Sequence, residues 1–130
     1  MITNQHHGLS LGVVNEGGRG HVLPGVDAVV HPARLEGLGV ALLQTLASGR
    51  PVIACPVGGI PEAVNEDDGW LVPVDDDAAL AEAMATVIRE PELASRKGAA
   101  GRALMERSFS VDAMVAGNLE VYERLLVTQK

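Results

Sequence analysis

From Val26 to Cys55 the chain reads VDAVVHPARLEGLGVALLQTLASGRPVIAC, and this stretch constrains the fold more than any other. The β-branched run Val26–His31 closes at Pro32, which suits a strand end because proline has no N–H to give to a ladder. Val40–Ser48 carries apolar residues at helical spacing and stops at Gly49, a residue that closes helices readily. A second, buried-looking strand, Pro51–Cys55, follows at once. Strand, helix and strand in this order read as a unit of a parallel α/β sheet.

The alternation continues on both sides. Leu9–Val14 is a short apolar run, and NEGGRG after it is a loop by composition. In GGIPEAV, Pro61 is placed to start a short helix. Gly69–Val74 is the next strand, and Asp75–Asp77 lead into a helix whose apolar stripe is Leu80, Ala83, Met84, Val87 and Ile88. Pro91 starts another helix that runs to about Arg107. A last helix after Ser110 carries Val111, Met114, Val115, Leu119, Tyr122 and Leu125 on one face. With aromatics at only 2% of 130 residues, the core is built from Ala, Val, Leu and Ile.

Charge and cysteine content narrow the setting. A formal net charge of −7 argues against nucleic acid or an anionic membrane as the main partner. The single cysteine, Cys55, excludes an internal disulfide framework and fits a reducing compartment. MITNQHHGLSLG has neither the basic start nor the apolar core of a signal peptide, and no apolar stretch approaches membrane-spanning length. The expectation is a soluble, cytoplasmic chain without a transmembrane segment.

In parallel α/β sheets ligands bind at the carboxyl ends of the strands, where helix N-termini point. The corner from His31 to Val40 is such a place. A helix beginning near Leu38 or Gly39 would direct free N–H groups and the positive end of its dipole at an anion. Gly37 and Gly39 let the backbone approach a ligand with no Cβ in the way. Glu36 is poorly suited to touching a phosphate but well suited to accepting hydrogen bonds from sugar hydroxyls beside one. Amides for a phosphate beside a carboxylate for a sugar describe a nucleotide-sugar site.

HPARLEGLGVALLQTLASGRPVIACPVGGIPEAV followed by GWLVPVDDDAALAEAM resembles the C-terminal half of family-4 glycosyltransferases, retaining enzymes of the GT-B fold. The family's Glu–x7–Glu element opens as EG.G and continues through ALA.G.PVIA, GG.PE.V and G.LV.P.D…AL. These pieces stand in that order from Glu36 to Leu80, and RSFSVDAMVAGNLEVYERLL is similar to the family's terminal helix. The resemblance implies an incomplete Rossmann-like parallel sheet of roughly four strands, matching the third to sixth strands of the usual six. It makes residues 1–130 a single partial donor-binding domain, with 1–10 frayed and 110–130 forming a terminal crossing helix.

The resemblance also assigns roles. Glu36 would accept from donor-sugar hydroxyls, while Gly37, Leu38 and Gly39 would offer amides to the sugar and the distal phosphate. Gln44 stands where the family has its second glutamate, which holds the ribose; an amide oxygen can still accept a hydroxyl proton, without the strengthening charge. Val13 and Val14 map loosely onto the strand end lining the nucleobase pocket. His31 and Arg34 lie close enough to the corner to face a phosphate, although a strand-end histidine is more often structural. No complete catalytic set is expected, no cofactor and no metal; the nucleotide-sugar donor is the substrate.

Simpler roles compete at each position. Glu36 alone would be an acid favouring its helix start, Gln44 a solvated helix residue, and Gly58 and Gly59 turn formers, with lining of the cleft as their other reading. Cys55 reads as a small core residue, and the acids at 66–68 and 75–77 as caps and solvated loops rather than metal ligands. GVVNEGGR lacks the Lys-Ser/Thr of a phosphate-binding loop. His6 and His7 are weak evidence for a metal. The family's N-terminal domain, and the Arg and Lys that neutralise the donor diphosphate, have no counterpart in this sequence. The leading expectation is therefore a glycosyltransferase fragment carrying the donor half-site of a retaining, metal-independent transfer, inactive alone. Its cover is a separate chain or self-association, with Leu9–Val14 moving across to pair with Val26–His31 as another remedy. A non-catalytic nucleotide-sugar-binding or interaction module is the alternative, and an unrelated doubly wound nucleotide-binding domain a third.

Overall fold

The computed structural model describes residues 2–3, 10–11 and 22–128. Its centre is a parallel sheet of three strands, β3 (Val29–His31), β4 (Val52–Ala54) and β5 (Gly69–Leu71), in that order. Val29 and Gly69 flank Val52, and His31 and Leu71 flank Ala54. Helix α1 (Val40–Ala47) joins β3 to β4, and the single turn α2 (Ile60–Ala63) joins β4 to β5. Three helices follow: α3 (Asp77–Arg89), α4 (Pro91–Ser108) and α5 (Val111–Thr128).

β4 alternates as a strand covered on both faces must. Val52 and Ala54 enter a core with Leu42, Leu46, Ile60, Val64 and Met105, between the sheet and helices α1 and α4. Ile53 and Cys55 enter the other, with Ala28, Val72, Ala83, Val87 and Ala94, under α3. All of β4 is buried, whereas β3 is half-buried along its length. At Gly98, α4 lies directly on the Gly49 carbonyl at the end of α1, and a side chain there would collide with it. Gly98 thus lets α4 pack closely against the end of α1.

The predicted breaks fall where the chemistry puts them. Ser48 caps α1 and Gly49 follows at φ 73°, a left-handed turn that glycine adopts without strain. Pro61 lies in the first turn of α2, and Pro91 in that of α4. β5 ends at Leu71, short of the predicted Val74, because Pro73 has no N–H to donate. Of the predicted stripe on α3, Ala83 and Val87 are buried and Leu80 and Met84 half-buried against the core, but Ile88 is exposed.

Two expectations need correction. Three strands, not about four, form the parallel sheet among the described residues. Ser10–Leu11 (β2) does not join β3; it pairs antiparallel with Ile2–Thr3 (β1), a partner close by in sequence that a short connection can reach. The rest of the segments 1–10 and 9–14 lies outside the described residues. Asp68 is no solvated loop acid. It is only 2% exposed, its carboxylate accepts from the Asn65 backbone N–H and Nδ2 at 2.8 Å each, and burial pushes its carboxyl up.

Helix α5 stands apart. Its first turn is closed by Ser110, whose Oγ accepts from the Ala113 N–H at 3.1 Å. Beyond that, Val111, Met114, Val115, Leu119, Val121, Tyr122, Leu125, Leu126 and Val127 are all 46–75% exposed. The apolar stripe read from the sequence is real and uncovered. No helix among the described residues is long and apolar enough to cross a membrane.

Candidate functional site

The corner between β3 and α1 is where the structure gathers most of the predicted residues. His31 is the last residue of β3, and Pro32 stops the ladder. The chain then loops through Arg34–Leu38 to Gly39, which precedes α1 at φ 76°. The Gly39 carbonyl accepts from the Leu42 and Leu43 N–H groups at 2.8 and 3.2 Å, closing the first turn. No side chain caps this helix start, so its leading amides have no side-chain acceptor. The helix starts at Val40, where the apolar spacing of Val40–Ser48 puts it, with Gly39 as the residue just before it.

Glu36 is held beside this start. One carboxylate oxygen accepts from the Gly37 N–H at 2.8 Å, and the other lies 2.9 Å from Nε2 of His31. The two side chains are 29% and 28% exposed, half sheltered rather than free in solvent. The Gly37 N–H first, and His31 second, hold the Glu36 carboxyl below the usual carboxylate range. An ionised carboxylate has about four acceptor positions, so two anchored bonds leave room for hydroxyl donors.

A second loop supports the first from beneath. The Gly59 N–H donates to the Gly37 carbonyl at 2.6 Å. Gly58 has φ 55°, and a Cβ there would run into the Glu36 carbonyl oxygen; one at Gly59 would sit 3.0 Å from the Gly37 carbonyl. These glycines let backbone lie on backbone, which places them at the corner as well as in a turn. The signal was available: GG stands just before Ile60 and Pro61, the first two residues of α2.

Arg34 points elsewhere. Its Nε donates to the Asp75 carboxylate at 2.7 Å, joining the corner to the loop after β5, where Asp75 itself sits at φ 61°. Between these loops, Pro32, Arg34, Cys55, Pro73, Asp75 and Leu80 line a cavity of about 240 Å³ at the carboxyl ends of the strands. The Cys55 thiol is buried against it, with Sγ 3.9 Å from the Pro73 carbonyl, and burial pushes its pKa up. Asp76 caps α3 by accepting from the Ala79 N–H at 2.8 Å. Among the described residues no cluster of His, Cys, Asp and Glu is arranged to hold a metal ion.

Gln44 lies on the exposed side of α1, four residues beyond Val40 and on the same face. The geometry therefore brings together His31, Glu36, Gly37, Leu38 and Gly39 with Gly58 and Gly59, and leaves Gln44 about one helical turn along. Val13 and Val14 lie outside the described residues.

The sequence and the fold both have known relatives. The family model described as glycosyl transferases group 1 matches residues 5–90. The D-inositol 3-phosphate glycosyltransferase of Streptomyces scabiei is 39% identical over 97 residues, 74% of this chain and 22% of that protein. The fold is similar to sucrose-phosphate synthase from Thermosynechococcus elongatus, with a TM-score of 0.78 and 28% identity over 91% of this chain and 30% of the other. It is also similar to Anabaena HepE, whose structure was solved with UDP-glucose, with a TM-score of 0.68 and 25% identity over 82% of this chain and 29% of that one. The chain thus spans between about a fifth and a third of these relatives. The chain belongs to the group 1 glycosyl transferases and has the mixed α/β layering of their GT-B fold.

Proposed function

We propose that this stretch is the donor side of a glycosyltransferase that moves a sugar from a nucleotide-sugar donor to an acceptor, with retention and without metal. The observation that carries the reading is Glu36, an ionised carboxylate anchored on two sides next to an uncapped helix N-terminus. In this role Glu36 accepts from donor-sugar hydroxyls, and the amides of Gly37, Leu38 and Gly39 receive the sugar and the distal phosphate. Gln44, one turn along the same helix, accepts from a ribose hydroxyl. HepE, solved with UDP-glucose, supports a nucleotide sugar as the ligand class. The non-catalytic binding module is the weaker reading, because the relatives are glycosyltransferases.

Calorimetry with UDP-glucose and GDP-mannose tests the assignment. Glu36→Gln keeps the size of the side chain and removes its charge. It should weaken the better-bound donor about tenfold or more, the scale of a lost charge-assisted hydrogen bond. Equal affinities in the two proteins overturn the role of Glu36.

The exposed stripe of α5 bears on partners. A surface this apolar is normally covered, and we propose that a second polypeptide surface covers it, either the remainder of a glycosyltransferase or another copy of this chain. Light scattering on the purified chain should find association that Leu119→Ser with Leu125→Ser reduces. A monomer at all concentrations, unchanged by those substitutions, removes self-association.

A further inference from the structure

We propose that His31 is a positioning residue for donor recognition: from the rigid end of β3 it fixes the orientation in which Glu36 meets the donor sugar. The inference rests on the donor-side reading of the corner and extends it to a residue that does not itself touch the ligand.

Glutamate is a long and flexible side chain. Glu36 sits in a loop, and an unrestrained glutamate loses rotamer freedom when a ligand immobilises it. Two anchors remove that freedom in advance. One is local, the N–H of the next residue, Gly37, at 2.8 Å. Taken alone it leaves the carboxylate plane free to swing about that bond. The second anchor is His31 at 2.9 Å, and it comes from a different element. Its backbone is fixed in register with Ala54 of β4, itself fully buried. A site held from a strand is better defined than one held from a loop.

The chemistry of the pair is fixed by the acceptor. An ionised carboxylate only accepts, so Nε2 of His31 carries the proton and donates. The two bonds use one acceptor position on each oxygen. The remaining positions are those a sugar's neighbouring hydroxyls would use. The opposite outcome is also physical. If His31 merely occupies Glu36, the donor must displace it, and removing the imidazole would tighten binding.

Two substitutions separate these cases. The Gln amide nitrogen reaches about as far as Nε2 of histidine, while that of Asn stops near Nδ1. His31→Gln should therefore keep the bond to Glu36 and His31→Asn should lose it, with similar polarity at the strand end. Calorimetry on the full chain uses UDP-glucose and UDP, or GDP-mannose and GDP, whichever pair the unmodified protein binds. His31→Asn is expected to weaken the nucleotide sugar about five- to thirtyfold and to leave the free diphosphate within twofold. His31→Gln should stay within threefold for both. Unchanged or tighter nucleotide-sugar binding in His31→Asn overturns the inference, and so does an equal loss for both ligands, which marks a structural role. If Glu36→Gln loses the sugar contribution while His31→Asn does not, the inference fails and the donor-side reading stands. If the unmodified chain binds no nucleotide sugar, both fall.

Discussion

Two helices start at the carboxyl ends of strands in the same sheet, and they are built differently. Helix α3, after β5, is closed by Asp76, whose carboxylate accepts from the Ala79 N–H at 2.8 Å, and Asp77 adds a second acid in the first turn. Helix α1, after β3, is preceded by a left-handed glycine and has no side-chain cap. An acid does lie nearby, but Glu36 is turned to the Gly37 N–H and to His31. α3 uses its acid to satisfy its own backbone. α1 leaves its leading amides without a side-chain acceptor and holds its acid beside them. The first arrangement is a stability device; the second forgoes that stabilisation, which is what a binding corner requires.

The comparison can be broken most severely from below the corner. Gly58→Ala puts a Cβ into the Glu36 carbonyl oxygen at a residue with φ 55°. Strain of that kind is worth about 1–3 kcal/mol before the collision is counted. The expected total is about 3 kcal/mol or more in a urea melt, together with loss of measurable nucleotide-sugar binding. A variant of ordinary stability and affinity would mean that the Gly58–Gly59 loop does not hold the corner in place.

The complementary test breaks the other helix. Asp76→Ala should cost about 1 kcal/mol, the usual worth of a lost side-chain cap. It should leave nucleotide-sugar affinity unchanged, because the cap serves only α3. A loss of affinity as large as the loss of stability would show that the two helix starts are coupled. The Arg34–Asp75 ion pair is the route by which that would happen.

Why the sequence revealed some of this and not the rest is a matter of range. The alternation of Val52, Ile53, Ala54 and Cys55 between two cores is local, and a period of two exposes it directly. Asp76 as a cap and Pro61 and Pro91 as helix openers are local as well. The His31–Glu36 bond joins residues close in sequence, but the loop beside it is held by the Gly59–Gly37 bond from some twenty positions on, and no local period reports that. Asp68 failed for the same reason. Two adjacent aspartates read as solvated, yet Gly101 of α4 lies close enough that a Cβ there would sit 3.4 Å from the Asp68 side chain. What covers a loop residue is decided by elements distant in sequence.

A smaller effect sharpens the role of α1. Gln44 lies on the exposed face that begins at the open helix start. Gln44→Glu should tighten a free nucleoside diphosphate a few-fold, since a carboxylate can accept from both ribose hydroxyls. The change in helix stability should not exceed a few tenths of a kcal/mol. Unchanged affinity for the diphosphate would remove the ribose contact from the donor-side reading.

The smallest effect is in pH. The Gly37 N–H and His31 both favour the ionised form of Glu36, so its folded pKa lies below the value in the unfolded chain. A depressed carboxyl stabilises the fold above its unfolded pKa, and this contribution fades as pH falls through the folded one. At the corner, therefore, Glu36 stays charged to lower pH than an ordinary glutamate does. The charged neighbours of this loop, Arg34 and Asp75, are paired with each other, which leaves His31 as the partner to remove. Following the Glu36 side-chain carboxyl by carbon NMR should give a titration below the ordinary range in the unmodified protein. In His31→Asn it should move upward, yet not the whole way, because the Gly37 N–H is the larger cause and remains. A titration at the ordinary value in both proteins would mean that neither anchor holds in solution, and the contrast between the two helix starts would lose its chemical basis.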